Sequence, residues 1–96
     1  MKEFTMVEFI KAAPGKTPEL REALKELVPH VRSGHGCLQY DLLEPVARSG
    51  EFLVLARWRD VKDLQRHEES ERIQEFIRKY DGILYTDVEQ TEWKAT

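Results

Sequence analysis

Asparagine is absent from this 96-residue chain, and cysteine occurs once. Lone Cys37 cannot close an internal disulfide, nor can it hold zinc by itself, which takes several converging Cys or His ligands. Its expected place is in buried packing. No apolar run approaches the ~20 residues of a membrane span, and "MKEFTMVEFIK" puts acids where a signal peptide needs an unbroken apolar core. The expected location is therefore the cytoplasm, with no membrane partner. A basic excess is missing too. Fifteen Lys and Arg against eighteen Asp and Glu leave a net charge of −3, with no basic face for a phosphate backbone, so no nucleic-acid partner is expected. Repeats, linkers and low-complexity segments are not found. What remains, 41% hydrophobic and 34% charged residues, fits one globular domain over residues 1–96. A chain this short buries only roughly 60–65% of its unfolded surface, so oligomerisation would help it.

Residues Phe4 to Lys11, "FTMVEFIK", are rich in β formers and stop at the Pro14-Gly15 turn, which predicts a first strand. Thr17 is placed to cap a helix with Pro18 at its first position. In that helix Leu20, Ala23, Leu24, Leu27, Val28 and Val31 recur at three- and four-residue spacing. Pro29 removes a backbone donor, so the helix is expected to bend or end nearby, before "SGHG". From Cys37 to Glu44, Leu38, Tyr40 and Leu42 share one face of a second strand and Gln39 and Asp41 the other. A third strand, "FLVLARWRD", covers Phe52 to Asp60. Asp60 then caps "VKDLQRHEES", in which Val61, Leu64, and His67 or Glu68 line up. Ser70 caps a further helix carrying Ile73, Phe76, Ile77 and Tyr80, and Gly82 suits its left-handed end. The mixed segment Leu84 to Trp93 reads as an edge strand.

The order β-α-β-β-α-α-β is the split βαβ of ferredoxin-like α+β domains, with a four-stranded antiparallel sheet. The first and third strands are expected side by side in its centre, read as running parallel to one another. Helices cover one face of such a sheet. Yet Leu53 and Leu55 lie opposite Phe52, Val54, Ala56 and Trp58, so the third strand is apolar on both sides. A second copy packed sheet to sheet is the simplest cover, and the chain termini are the alternative. On the same face Arg57 is expected to pair with Glu8 across the sheet. His30 and His35 flank a turn and are expected to be solvated.

A strand leading into "PGK", then "GCLQY", an apolar strand ending "RW", and "LQRHEES" before an apolar helix span nearly the whole chain in that order. Together they resemble the antibiotic biosynthesis monooxygenase family. The resemblance implies a dimeric α+β barrel, with a pocket in each protomer between sheet and helices. It also implies a monooxygenase that oxidises a quinol-like or polycyclic aromatic molecule with dioxygen, without metal, flavin or other cofactor. Two alternatives stay open: a dimeric small-ligand-binding or stress-associated module without catalysis, and an isomerase of a small carbonyl compound. His67 matches the family's helix histidine and is the candidate base. Trp58 and Tyr40 match its tryptophan and tyrosine, and with Phe76 they are the candidate substrate-binding aromatics. Each of these residues also fits a purely structural reading, His67 as a partly buried polar residue and the aromatics as core. Ala56 and Arg72 depart from the family's glutamate and second histidine. The asparagine of the haem-degrading branch has no counterpart, that branch's tryptophan position holds His67, and its haem-ligating histidine falls near Ile77, which argues against haem degradation.

Overall fold

A computed structural model describes residues 2–96. The elements follow the expected order: β1 (Phe4–Ala12), α1 (Thr17–Arg32), β2 (Cys37–Leu43), β3 (Glu51–Trp58), α2 (Val61–Glu68), α3 (Glu71–Tyr80) and β4 (Tyr85–Trp93). The sheet order is β2-β3-β1-β4, and every pairing is antiparallel. The parallel orientation expected of β1 and β3 is therefore corrected. The helical crossover through α1 returns the chain so that β2 runs with β1, and the short loop to β3 reverses it, so β3 opposes both neighbours.

Local signals set most boundaries. The Asp60 carboxylate accepts from the Asp63 amide at 3.0 Å and the Ser70 hydroxyl from the Ile73 amide at 3.3 Å, capping α2 and α3. Gly82 takes the left-handed φ of 76° that follows α3. Thr17 does not cap α1: the helix starts one residue earlier than expected, on Lys16, and Thr17 and Pro18 are its first two residues. Pro29 lies on the exposed side, and the helix runs on to Arg32.

The β1–β3 register pairs Phe4 with Trp58 and Glu8 with Val54, so even-numbered residues of both strands face the helices and odd-numbered ones face away. Met6, Ile10, Phe52, Val54, Ala56 and Trp58 thus meet Leu20, Leu24, Leu27 and Val31 of α1 and Leu64 of α2 in one core. A register irregularity between Cys37 and Gln39 corrects the β2 pattern. Cys37 stands opposite Trp58, partly buried against the core, while Leu38 is 48% exposed instead of sharing the inner face with Tyr40.

The outer face carries Val7, Phe9, Leu43, Leu53 and Leu55, and no helix covers it. Phe9 stays 46% exposed, and residues 94–96 leave Trp93 57% exposed, so no described residue of either chain end closes over it. The expected Arg57–Glu8 pair does not form. Arg57, odd-numbered, points outward and donates to Glu3 at 2.7 Å and to Gln39 at 3.3 Å, while Glu8 points toward the helices.

Candidate active site between sheet and helices

A cavity of about 410 Å³ lies on the helix side of the sheet. Met6, Leu24, Leu27, Leu64 and Ile73 make much of its lining apolar, and Phe76 and Tyr85 contribute nearly parallel rings, 6.2 Å apart at 16°. Tyr40 reaches it from β2 and His67 from α2, with ring centroids 6.3 Å apart. Three of the four residues singled out in the sequence, Tyr40, His67 and Phe76, therefore share one chamber.

Trp58 does not line this chamber. It is 1% exposed and stacks behind His67, with centroids 4.8 Å apart and planes 31° from parallel. It faces an adjoining cleft that Val31, Asp63, Arg66 and Arg72 also line and that shares His67 and Ile73 with the chamber. Its indole N–H is buried without an acceptor among the described residues. Trp58 thus fixes the imidazole from the rear.

Glu8 was not among the expected site residues, yet it lies in the chamber wall between Met6 and Ile10. The sequence did carry a signal. A strand whose inward positions read Phe4, Met6, Glu8, Ile10, Ala12 has one carboxyl in an otherwise apolar row. Among the described residues Glu8 makes no side-chain hydrogen bond or ion pair, and the same holds for the Tyr40 and Tyr85 hydroxyls and the His67 ring. None of these four is a sealed, unsatisfied atom, as the Trp58 indole N–H is; their polar atoms open into the cavity, where a ligand with polar edges would meet them.

Electrostatics follow from this burial. Desolvation, with a smaller contribution from the Glu68 carboxylate, pushes Glu8 from 4.5 up to about 7. Desolvation lowers His67 from 6.5 to about 4, so its imidazole is neutral at pH 7. Burial, reinforced by Glu8, drives Tyr40 well above its ordinary value, which keeps its hydroxyl a donor. Burial and then Asp81 and Glu8 also raise Tyr85.

A separate polar cluster holds the start of α2. Asp63, 2% exposed, accepts from Arg59 at 3.0 and 3.3 Å and from Arg66 at 3.1 Å. His30 and His35 are exposed as expected, but each ring takes an arginine, Arg72 at 3.1 Å and Arg59 at 2.9 Å respectively. Ala56 is fully buried in the core, opposite Met6 and Tyr40. Among the described residues no group of His, Cys, Asp and Glu is arranged to hold a metal ion, and no helix is long and apolar enough to cross a membrane.

The sheet order, the split second helix and a ligand-sized chamber between sheet and helices define a ferredoxin-like α+β protein. The model of the antibiotic biosynthesis monooxygenase family matches residues 3–79, and the chain belongs to that family. It is 35% identical over 86 residues to YcnE of Bacillus subtilis (strain 168), a protein whose monooxygenase name is itself provisional. That match covers 88% of this chain and 90% of YcnE. The crystal structure of PA3566 from Pseudomonas aeruginosa superposes with a TM-score of 0.92 at 32% identity, covering 100% of this chain and 96% of that one. Rv0793 from Mycobacterium tuberculosis gives 0.86 at 26%, covering 99% and 96%.

Proposed function

We propose that this protein is a monooxygenase that oxidises an electron-rich hydroxyarene, a quinol-like or polycyclic aromatic compound, with dioxygen. The observation that carries the reading is the chamber itself: apolar and aromatic walls of ligand size in which unpaired polar groups converge. A hydroxyarene and dioxygen give a quinone and water. One oxygen atom enters the ring, and the other leaves with the displaced ring hydrogen and the hydroxyl hydrogen. Once deprotonated, such a substrate is electron-rich enough to reduce dioxygen itself. The protein then has to bind, orient, exclude water and move a proton. Phe76 and Tyr85 would flank the rings, and Tyr40 and neutral His67 would hold the oxygen substituents.

The apolar outer face belongs to the same proposal. Val7, Phe9, Leu53 and Leu55 lie side by side on β1 and β3, as a second copy packed sheet to sheet would require. Oxygen uptake with a panel of dihydroxynaphthalenes tests the function, with His67→Ala as the comparison. Turnover above autoxidation that drops at least tenfold in the variant is expected. Uptake that never exceeds autoxidation rules the reading out, and product formed under nitrogen would mark a non-oxidative reaction instead.

A further inference from the structure

We propose that Glu8 is the group that takes the hydroxyl proton of the bound hydroxyarene, and that the chamber selects ligands carrying no anionic group. The substrate class rests on the oxygenase reading; the role of Glu8 as hydroxyl acceptor does not.

The geometry points to Glu8 because it is the only carboxyl on the inward face of the two central strands, and it is unpaired among the described residues. The titratable groups that line the chamber with it are Tyr40 on β2, His67 and Glu68 on α2, Asp81 after α3, and Tyr85 on β4, and its β4 register partner, Gln90, is a neutral amide. Val54, its β3 partner, and Leu24 and Leu27 of α1 are apolar. Among the described residues no lysine or arginine lines the chamber. Three acids and no cation repel a carboxylate or phosphate on the ligand while leaving a neutral phenol unopposed.

The proton step also favours a carboxylate over the imidazole. The substrate O–H bond breaks, its electron pair stays on oxygen, and the proton passes to Glu8, so one negative charge moves from protein to ligand and none is created. Transfer to His67 would instead make an imidazolium and a phenolate in an apolar site, two charges where there were none. A carboxyl that ionises near pH 7 also suits a base working there, whereas an imidazole held near 4 is a weak acceptor. His67 is then a positioning wall.

Two measurements test the assignment. The first follows oxygen uptake on 1,4-dihydroxynaphthalene from pH 5 to 9, corrected for autoxidation. The wild-type kcat/KM should rise roughly 100-fold along a limb centred near pH 7. Glu8→Gln should flatten that limb and lose at least ~100-fold at pH 8, Glu8→Asp should restore part of it, and His67→Ala should keep it. A limb that survives in Glu8→Gln, or vanishes only in His67→Ala, overturns the proposal while leaving the oxygenase reading intact.

The second is made under nitrogen and needs no turnover. Wild type at pH 8 should bind 1,4-dihydroxynaphthalene at least tenfold more tightly than 1,4-dimethoxynaphthalene or 1,4-dihydroxy-2-naphthoate, and Glu8→Leu should erase the preference over the ether. A carboxyl-carbon NMR titration of unliganded wild type should place Glu8 near pH 7, a readout that needs no variant to fold. Ionisation in the ordinary glutamate range, equal binding of diol and ether, equal binding of the naphthoate, or no binding at all overturns the proposal. Preferential binding without oxygen uptake supports it and removes the oxygenase reading.

Discussion

Glu8→Gln should stabilise this protein, and only above a definite pH. The folded-state value of Glu8 lies near 7 against 4.5 for a free side chain, because burial opposes its charge. Below pH 4.5 the carboxyl is protonated in both folded and unfolded chains, and its titration contributes nothing. Between 4.5 and 7 the unfolded chain releases the proton and the folded chain keeps it, so wild-type stability falls as pH rises through that window and levels off above it. At ~1.36 kcal/mol per tenfold, the full loss is about 3 kcal/mol, and roughly half that if water in the cavity screens the charge. Glutamine keeps the shape and carries no titrating proton. His67, which titrates at the acid end, is present in both proteins and cancels in the comparison. Urea unfolding at pH 5 and pH 8, at one fixed protein concentration, reads the difference. With slopes of ~1–3 kcal/mol/M, the variant's midpoint advantage should grow by roughly 1 M from the lower pH to the higher. An advantage that is the same at both pH values refutes the argument that Glu8 is uncompensated. A reversed trend would mean that a cation reaches it.

Trp58→Ala should cost about 3–5 kcal/mol by emptying a fully buried site, whereas Trp58→Phe should stay within about 1 kcal/mol because it also removes a donor without an acceptor; thermal unfolding separates the two. Asp63→Asn should lose about 1–3 kcal/mol by weakening the contacts to Arg59 and Arg66, measurable in the same unfolding assay. Gly36→Ala should be at least as damaging, since Gly36 has a φ of 81° and an added Cβ would lie 2.3 Å from the Asp63 carboxyl carbon; an unchanged melting temperature would contradict the packing described. Leu55→Asp on the open sheet face should leave the fold intact and halve the mass seen by light scattering, whereas a wild-type particle of 11.3 kDa at micromolar concentration would refute the proposed dimer.

The element order, both α2 and α3 caps and the core stripe of α1 were legible in the sequence because they depend on neighbours a few residues apart: a side-chain oxygen reaching an amide three residues on, or apolar groups repeating at helical spacing. The bias of Phe52–Trp58 toward two apolar faces was equally plain, since alternation is a property of one strand alone. Strand direction, pairing register and the irregularity at Cys37–Gln39 were decided only by the assembled sheet. Those decisions distributed the site residues. Register turned Glu8 inward and Arg57 outward, undoing a pair that charge alone suggested, and the helix packing set Trp58 behind His67 instead of beside it in the chamber. Sequence names the groups that can ionise or stack. Which of them lose water together, and so acquire their chemistry, depends on a fold that brings residues as far apart in the chain as Glu8 and Tyr85 into one chamber.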